Sequence, residues 1–228
     1  MFRRGLLVVA AMLLAWALDI PAFHLFADTA RTEAGAVVVS RDIEGNDWYR
    51  LLRIMGFAGT WAAVALVFWL IDRQNPPTRL AGPAHPRPGF RAVLVLVSVV
   101  TAGLLAELIK LLVGRERPVD GLTYQGFEFK PFLAAFTGDG GNLGFVSSHT
   151  STAFAGAAAI ALLHPQARPV LMLLAAGCGA SRMLAGAHWL SDVVGGAIIG
   201  VWAARVVYER MGGPVAGGFV SDPRRTPG

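Results

Sequence analysis

Three short polar clusters interrupt an otherwise apolar chain of 228 residues. The first is Lys110-Leu-Leu-Val-Gly-Arg-Glu-Arg117-Pro118. The second is Val146-Ser147-Ser148-His149. The third is Ser181-Arg182, then His188 after five residues and Asp192 after three more. Three cations, two histidines, a carboxylate and a serine pair suit a phosphate ester. A metal would ask for more carboxylates or thiolates, so no metal and no cofactor are expected. A phosphoryl group spreads its charge over three oxygens, and its transfer needs mainly positioning and neutralisation. Arg117 and Arg182 offer planar donor forks that match phosphate, and Lys110 offers a point charge. Ser147 and Ser148 are expected to open a helix, where free N–H groups and the helix dipole favour an anion. His188 and Asp192 stand four apart, which places them on one helical face. Asp192 then accepts from one imidazole nitrogen and leaves the other as a nucleophile. His149 is the candidate proton donor to the leaving oxygen. Taken singly, each residue has an ordinary reading as an interfacial anchor, a cap or a structural pair. Their convergence is what points to chemistry.

The elements that must bring them together are apolar helices. Hydrophobic residues make up 54% of the chain and charged residues 15%, with a mean hydropathy of +0.53. That excludes disorder and argues against a soluble domain, which needs more polar cover. A spanning helix needs roughly 20 mostly apolar residues. Six segments qualify: 5–26, 51–71, 92–113, 147–163, 169–186 and 188–208. The fold class expected is therefore all-α, an integral membrane bundle of six transmembrane helices over residues 1–210, followed by a disordered cytoplasmic tail, 211–228. The first segment, after Arg3 and Arg4, also has the look of a signal peptide, but no convincing A-x-A site stands just after its apolar stretch and the topology requires its retention.

Arginine placement favours a cytoplasmic N-terminus. The three clusters then fall together at the outer face, and the connection 76–89, rich in proline, falls inside. The net charge of +5 is explained by membrane topology rather than by nucleic acid. The one cysteine, Cys178, reads as a buried apolar residue. Gly196 and Gly200 read as packing positions within the bundle. Glu107 reads as a structural partner of Lys110, and Asp19 and His24 receive no role. The external stretch 119–146 holds Phe127, Phe129, Phe132, Leu133 and Phe136 beside Glu128 and Lys130. It reads equally as an interfacial lip guiding a headgroup and as a packed cap.

The three clusters resemble the signature of the type-2 phosphatidic acid phosphatase superfamily, Lys-x6-Arg-Pro, Pro-Ser-Gly-His and Ser-Arg-x5-His-x3-Asp. The first and third match at every specified position. The second matches at Ser147 and His149, with Val146 in place of Pro and Ser148 in place of Gly. The resemblance implies a metal-independent membrane phosphatase with a phosphohistidine formed on His188, oriented by Asp192, and with His149 protonating the leaving group. It implies a phosphate pocket of Lys110, Arg117, Ser147, Ser148 and Arg182. The expected protein is a bacterial inner-membrane enzyme, its site periplasmic. Its partner is a lipid phosphate: a polyprenyl diphosphate, phosphatidylglycerol phosphate, phosphatidic acid or lipid A. Transfer of the phosphoryl group to a second lipid, and binding without turnover, are the alternatives. The oligomeric state is left open.

Overall fold

A helix satisfies its own N–H and C=O groups, which is what an apolar segment needs in lipid. The long apolar runs are accordingly helical in the computed structural model, which describes residues 2–27, 29–33, 35–40, 42–74, 89–130 and 141–213. The helices are α1 (Phe2–Ala17), α2 (Asp19–Phe26), α3 (Asp47–Ile54), α4 (Ala58–Gln74), α5 (Phe90–Val113), α6 (Ser148–Leu163), α7 (Arg168–Leu184) and α8 (Leu190–Arg210).

Two of the expected spans are broken. Pro21 has no N–H to donate to Ala17, and α1 and α2 meet there at 59°. The second span bends by 65° between α3 and α4, at Met55-Gly56-Phe57. Among the described residues, α5 and α8 are long and apolar enough to cross a membrane singly, and each bent pair could serve as one further span. Helices α6 and α7 have 16 and 17 residues. By length and composition alone, two to four candidate spans are found among the described residues, which does not confirm the six expected. The all-α expectation is also amended, because a small sheet lies at one end. Its strands β1 (Thr29–Arg31), β2 (Val37–Val39), β3 (Val119–Asp120) and β4 (Thr123–Tyr124) run in the antiparallel order β1-β2-β4-β3. The connection 76–88 and nearly all of the tail lie outside the described residues.

Helix α6 forms the middle of the bundle, with α5, α7 and α8 packed around it. Its small residues allow that. A Cβ on Gly156 would lie 2.2 Å from the Trp61 ring of α4, and one on Gly200 of α8 would lie 2.4 Å from the Ser151 carbonyl oxygen. Gly196 likewise faces the Ser147 carbonyl oxygen. Both glycines therefore serve packing inside the bundle. Large apolar side chains such as Leu13, Leu66, Val100 and Leu104 point outward, as a lipid-facing surface requires. At the end carrying the sheet, Phe23, Ala27, Val39, Val119 and Trp189 form a second small core.

Candidate functional site

The start of α6 is built by Ser147. Its hydroxyl oxygen accepts from the N–H of Thr150 at 3.4 Å and from the Thr150 hydroxyl at 3.0 Å. That caps the helix. Ser147 is thus occupied as a cap, with only its own O–H left to donate outward. The N–H groups of Ser148 and His149 precede the first intrahelical bond, Ser151 to Ser147, and remain suited to an anion. Val146 is buried beside Gly195.

The third cluster spans a tight turn. Arg182 sits in the last turn of α7, and the chain reverses through Gly186, whose φ of 63° suits glycine. His188 lies in this turn and not on α8, correcting the expectation of a shared helical face. The pair still forms, because Asp192 caps the helix. Its Oδ2 accepts from the Trp189 N–H at 2.9 Å and stands 3.3 Å from His188 Nδ1. An ionised carboxylate only accepts. A proton on Nδ1 would satisfy that contact and leave Nε2 with its lone pair. His188 is buried, with 3% of its surface exposed.

The first cluster closes the ring. Lys110, in the last turn of α5, donates to Glu107 Oε1 at 2.7 Å and to Ser148 Oγ at 2.5 Å. Gly114 ends α5 at a φ of 69°. The next residues return across the sheet end, where Arg117 Nε donates to the Leu143 carbonyl at 3.2 Å. The clusters are also tied directly. Trp189 Nε1 donates to the Glu116 carbonyl at 3.1 Å. Lys110 lies within electrostatic reach of Arg117 and Asp192, and His149 of Arg182, His188 and Lys110.

Beside Arg117 and Arg182 lies a polar cavity of about 260 Å³, lined by Glu44, Arg53, Arg117, Asn142 and Arg182 among others. Three guanidinium groups in one cavity call for an anion. Arg182 is held by Tyr49 of α3, whose hydroxyl oxygen accepts from Nη1 at 3.2 Å. Arg182 Nε is buried and, among the described residues, has no hydrogen-bond partner. A buried donor left unmade is costly, and an oxyanion in the cavity would satisfy it. A second cavity of about 260 Å³ adjoins the first. It is mainly apolar and lined by Arg50, Arg53, Ile54, Phe57 and His149. A Cβ on Gly56 would come within 2.7 Å of His149, so the α3–α4 elbow rests directly on this histidine.

All eight expected site residues therefore lie around one end of the bundle. Tyr49 and Arg53 were missed by sequence reasoning, and neither stands near a motif. Of the aromatic stretch, Phe127 packs on Trp189 at 5.2 Å and Phe129 stacks on Trp16 at 6.1 Å. Phe132, Leu133 and Phe136 lie outside the described residues.

The PAP2 superfamily model matches residues 91–213. A "Lipid A 1-phosphatase" of Rhizobium etli is 39% identical over 123 residues, covering 52% of this chain and 50% of that protein. One of Rhizobium johnstonii is 38% identical over 118 residues, covering 50% and 47%. The chain thus spans about half the length of the curated relatives it matches. Among solved structures, a transmembrane PAP2-type phosphatidylglycerolphosphate phosphatase from Bacillus subtilis shares the fold. Its TM-score is 0.60 at 17% identity, over 92% of this chain and 96% of that one.

Proposed function

We propose, on the premise that the chain belongs to the PAP2 superfamily, that it is a membrane lipid phosphatase removing a terminal phosphate from a lipid. The observation that carries this reading is the cavity of Arg53, Arg117 and Arg182, with the Asp192-supported His188 and with His149 both within electrostatic reach of Arg182. In the first step, His188 Nε2 forms a bond to phosphorus while the ester O–P bond breaks. The leaving oxygen takes a proton from His149. Asp192 stabilises the positive imidazole through Nδ1–H. In the second step, water attacks the phosphohistidine, His149 takes its proton, and the N–P bond breaks to release phosphate. Lys110, Arg117, Arg182, Ser147 and Ser148 hold the phosphoryl oxygens, and no metal takes part.

Among candidate lipids, the curated relatives favour a lipid A 1-phosphate over phosphatidic acid, phosphatidylglycerol phosphate or a polyprenyl diphosphate. The headgroup occupies the polar cavity, and the departing lipid leaves along the apolar groove, because His149 lines that groove. The bent pairs and the shorter α6 and α7 complete a six-span bundle, with the site at the periplasmic face of the inner membrane.

The test is phosphate release from these four lipids in detergent, with wild type beside His188→Ala. Turnover of at least one lipid is expected, and it should vanish in the variant. Full activity of His188→Ala on that lipid would refute the nucleophile.

A further inference from the structure

Behind Asp192, on the side away from His188, lies a buried charge cluster that the proposed reaction does not use. Arg115 is fully buried, at 0% exposure, as are Ser191 and Asp192, and Asp19 is at 1%. Arg115 Nη2 donates to Asp192 Oδ1, and Nη1 donates to Ser191 Oγ at 2.8 Å and to Asp19 Oδ2 at 3.1 Å. Asp19 also receives the Ser191 N–H at 2.7 Å and the Ser191 hydroxyl at 2.6 Å. The guanidinium sits about 5 Å from three rings, at 5.2 Å from Trp16, 5.2 Å from Phe127 and 4.9 Å from Phe145. Those rings attract a cation and exclude water from it.

This arrangement has a direction. Asp192 divides its two oxygens, Oδ2 toward His188 and Trp189, Oδ1 toward Arg115. A carboxylate held on both sides cannot rotate away from the imidazole. A guanidinium fork holds two carboxylates in one fixed planar geometry, where an ammonium is a point charge on a flexible stem. Asp19 stands at the start of α2 because Pro21 breaks the first span there, so the bend delivers the second carboxylate. Two anions share one cation. Arg115 thus belongs to Asp192 as much as to Asp19.

We propose that Arg115, anchored by Asp19 and clamped between Trp16, Phe127 and Phe145, is the positioning residue that fixes Asp192 and through it His188 for attack on phosphorus. The inference rests on the phosphatase reading above. It extends the working site to α1 and α2, which lie before the residues matched by the family model.

The experiment compares wild type with Arg115→Gln, Arg115→Lys, Asp19→Asn and the double variant Asp19→Asn/Arg115→Gln, with His188→Ala in parallel. Lipid A 1-phosphate and phosphatidic acid serve as substrates. Rates are taken per mole of protein in the monodisperse peak after detergent extraction. Arg115 does not line the phosphate cavity. Arg115→Gln should therefore lower kcat by about 10–100-fold, the usual cost of losing a supporting partner, with KM changed by less than about threefold. The double variant removes the uncompensated Asp19 charge, so its melting temperature should recover while its kcat stays as low as that of Arg115→Gln. Recovery of kcat in the double variant would show that Arg115 merely neutralises Asp19, and would overturn the proposal. If Arg115→Gln does not yield folded protein, Arg115→Lys carries the test. It keeps the charge among the rings but loses the fork, so a reduced kcat at unchanged KM supports the proposal and a wild-type kcat overturns it. An active His188→Ala would instead remove the phosphatase mechanism itself. An inactive one beside a fully active Arg115→Gln would remove this inference alone.

Discussion

The main-chain N–H of Ser147 donates to the carbonyl oxygen of Asp192 at 3.0 Å. This bond pins the start of α6 to the first turn of α8. Two of the three polar clusters, joined here by residues 45 positions apart in sequence, are therefore set against one another by backbone before any side chain acts. A shift of either helix moves the Ser147–His149 segment and Asp192 together.

Replacing His149 by Gln should slow turnover by about 10²–10⁴-fold, the usual contribution of a general acid. The loss should shrink sharply for an aryl phosphate ester, whose leaving oxygen needs no proton. Comparing lipid and aryl substrates on the same variant measures this. An equal loss on both would remove the proton-donor role.

Arg182 and Tyr49 should separate binding from chemistry. Tyr49→Phe removes the acceptor that fixes Arg182 Nη1. A hydrogen bond to a charged group is worth about 1.5–3 kcal/mol. The expected result is a rise in KM of about 10-fold or more with kcat little changed, read from steady-state phosphate release. Arg182→Lys should act in the same direction, since an ammonium does not replace a fork.

Chelation should leave the rate unchanged. The guanidinium groups of Arg53, Arg117 and Arg182 outnumber the single carboxylate, Glu44, in the cavity lining, so a divalent cation would meet net repulsion there. Assays with and without EDTA, after dialysis against chelator, check this. Loss of activity restored by magnesium or zinc would contradict the cradle.

Gly200→Ala should destabilise the protein without entering the site. The added methyl meets the Ser151 carbonyl oxygen and the Ala155 nitrogen, at 2.4 and 2.8 Å, and both belong to backbone that cannot swing aside. Overpacking of this kind costs about 1–3 kcal/mol. A drop in melting temperature of several degrees, measured in detergent, is the expected outcome.

Much of this arrangement was legible in the sequence, and the reason is local. Lys110, Ser147, His149, Arg182, His188 and Asp192 occupy helix ends or a short turn beside one, and helix ends are marked by where apolar runs stop. The pairing of Glu107 with Lys110 follows from a three-residue spacing on one helix. What was hidden depends on distant partners. Tyr49 meets Arg182 across 133 positions, and Asp19 meets Ser191 across 172. Nothing near Asp19 marks it as anything but an interfacial carboxylate. The breaks in the first two spans were signalled by Pro21 and Gly56, but the apolar composition on either side masked them. His188 was placed on a helix because i to i+4 spacing suggests one. Asp192 instead reaches back to Trp189 as a cap, which yields the same pairing from a different backbone.

From Ala153 to Ala161, α6 carries only Phe154 and Ile160 as large side chains. Alanine and glycine lose almost no rotamer freedom on burial. The helix that presents Ser147, Ser148 and His149 is thus immobilised with little entropic penalty. Its neighbours seat against its main chain rather than against movable groups, so the pedestal beneath these residues is stiff by construction.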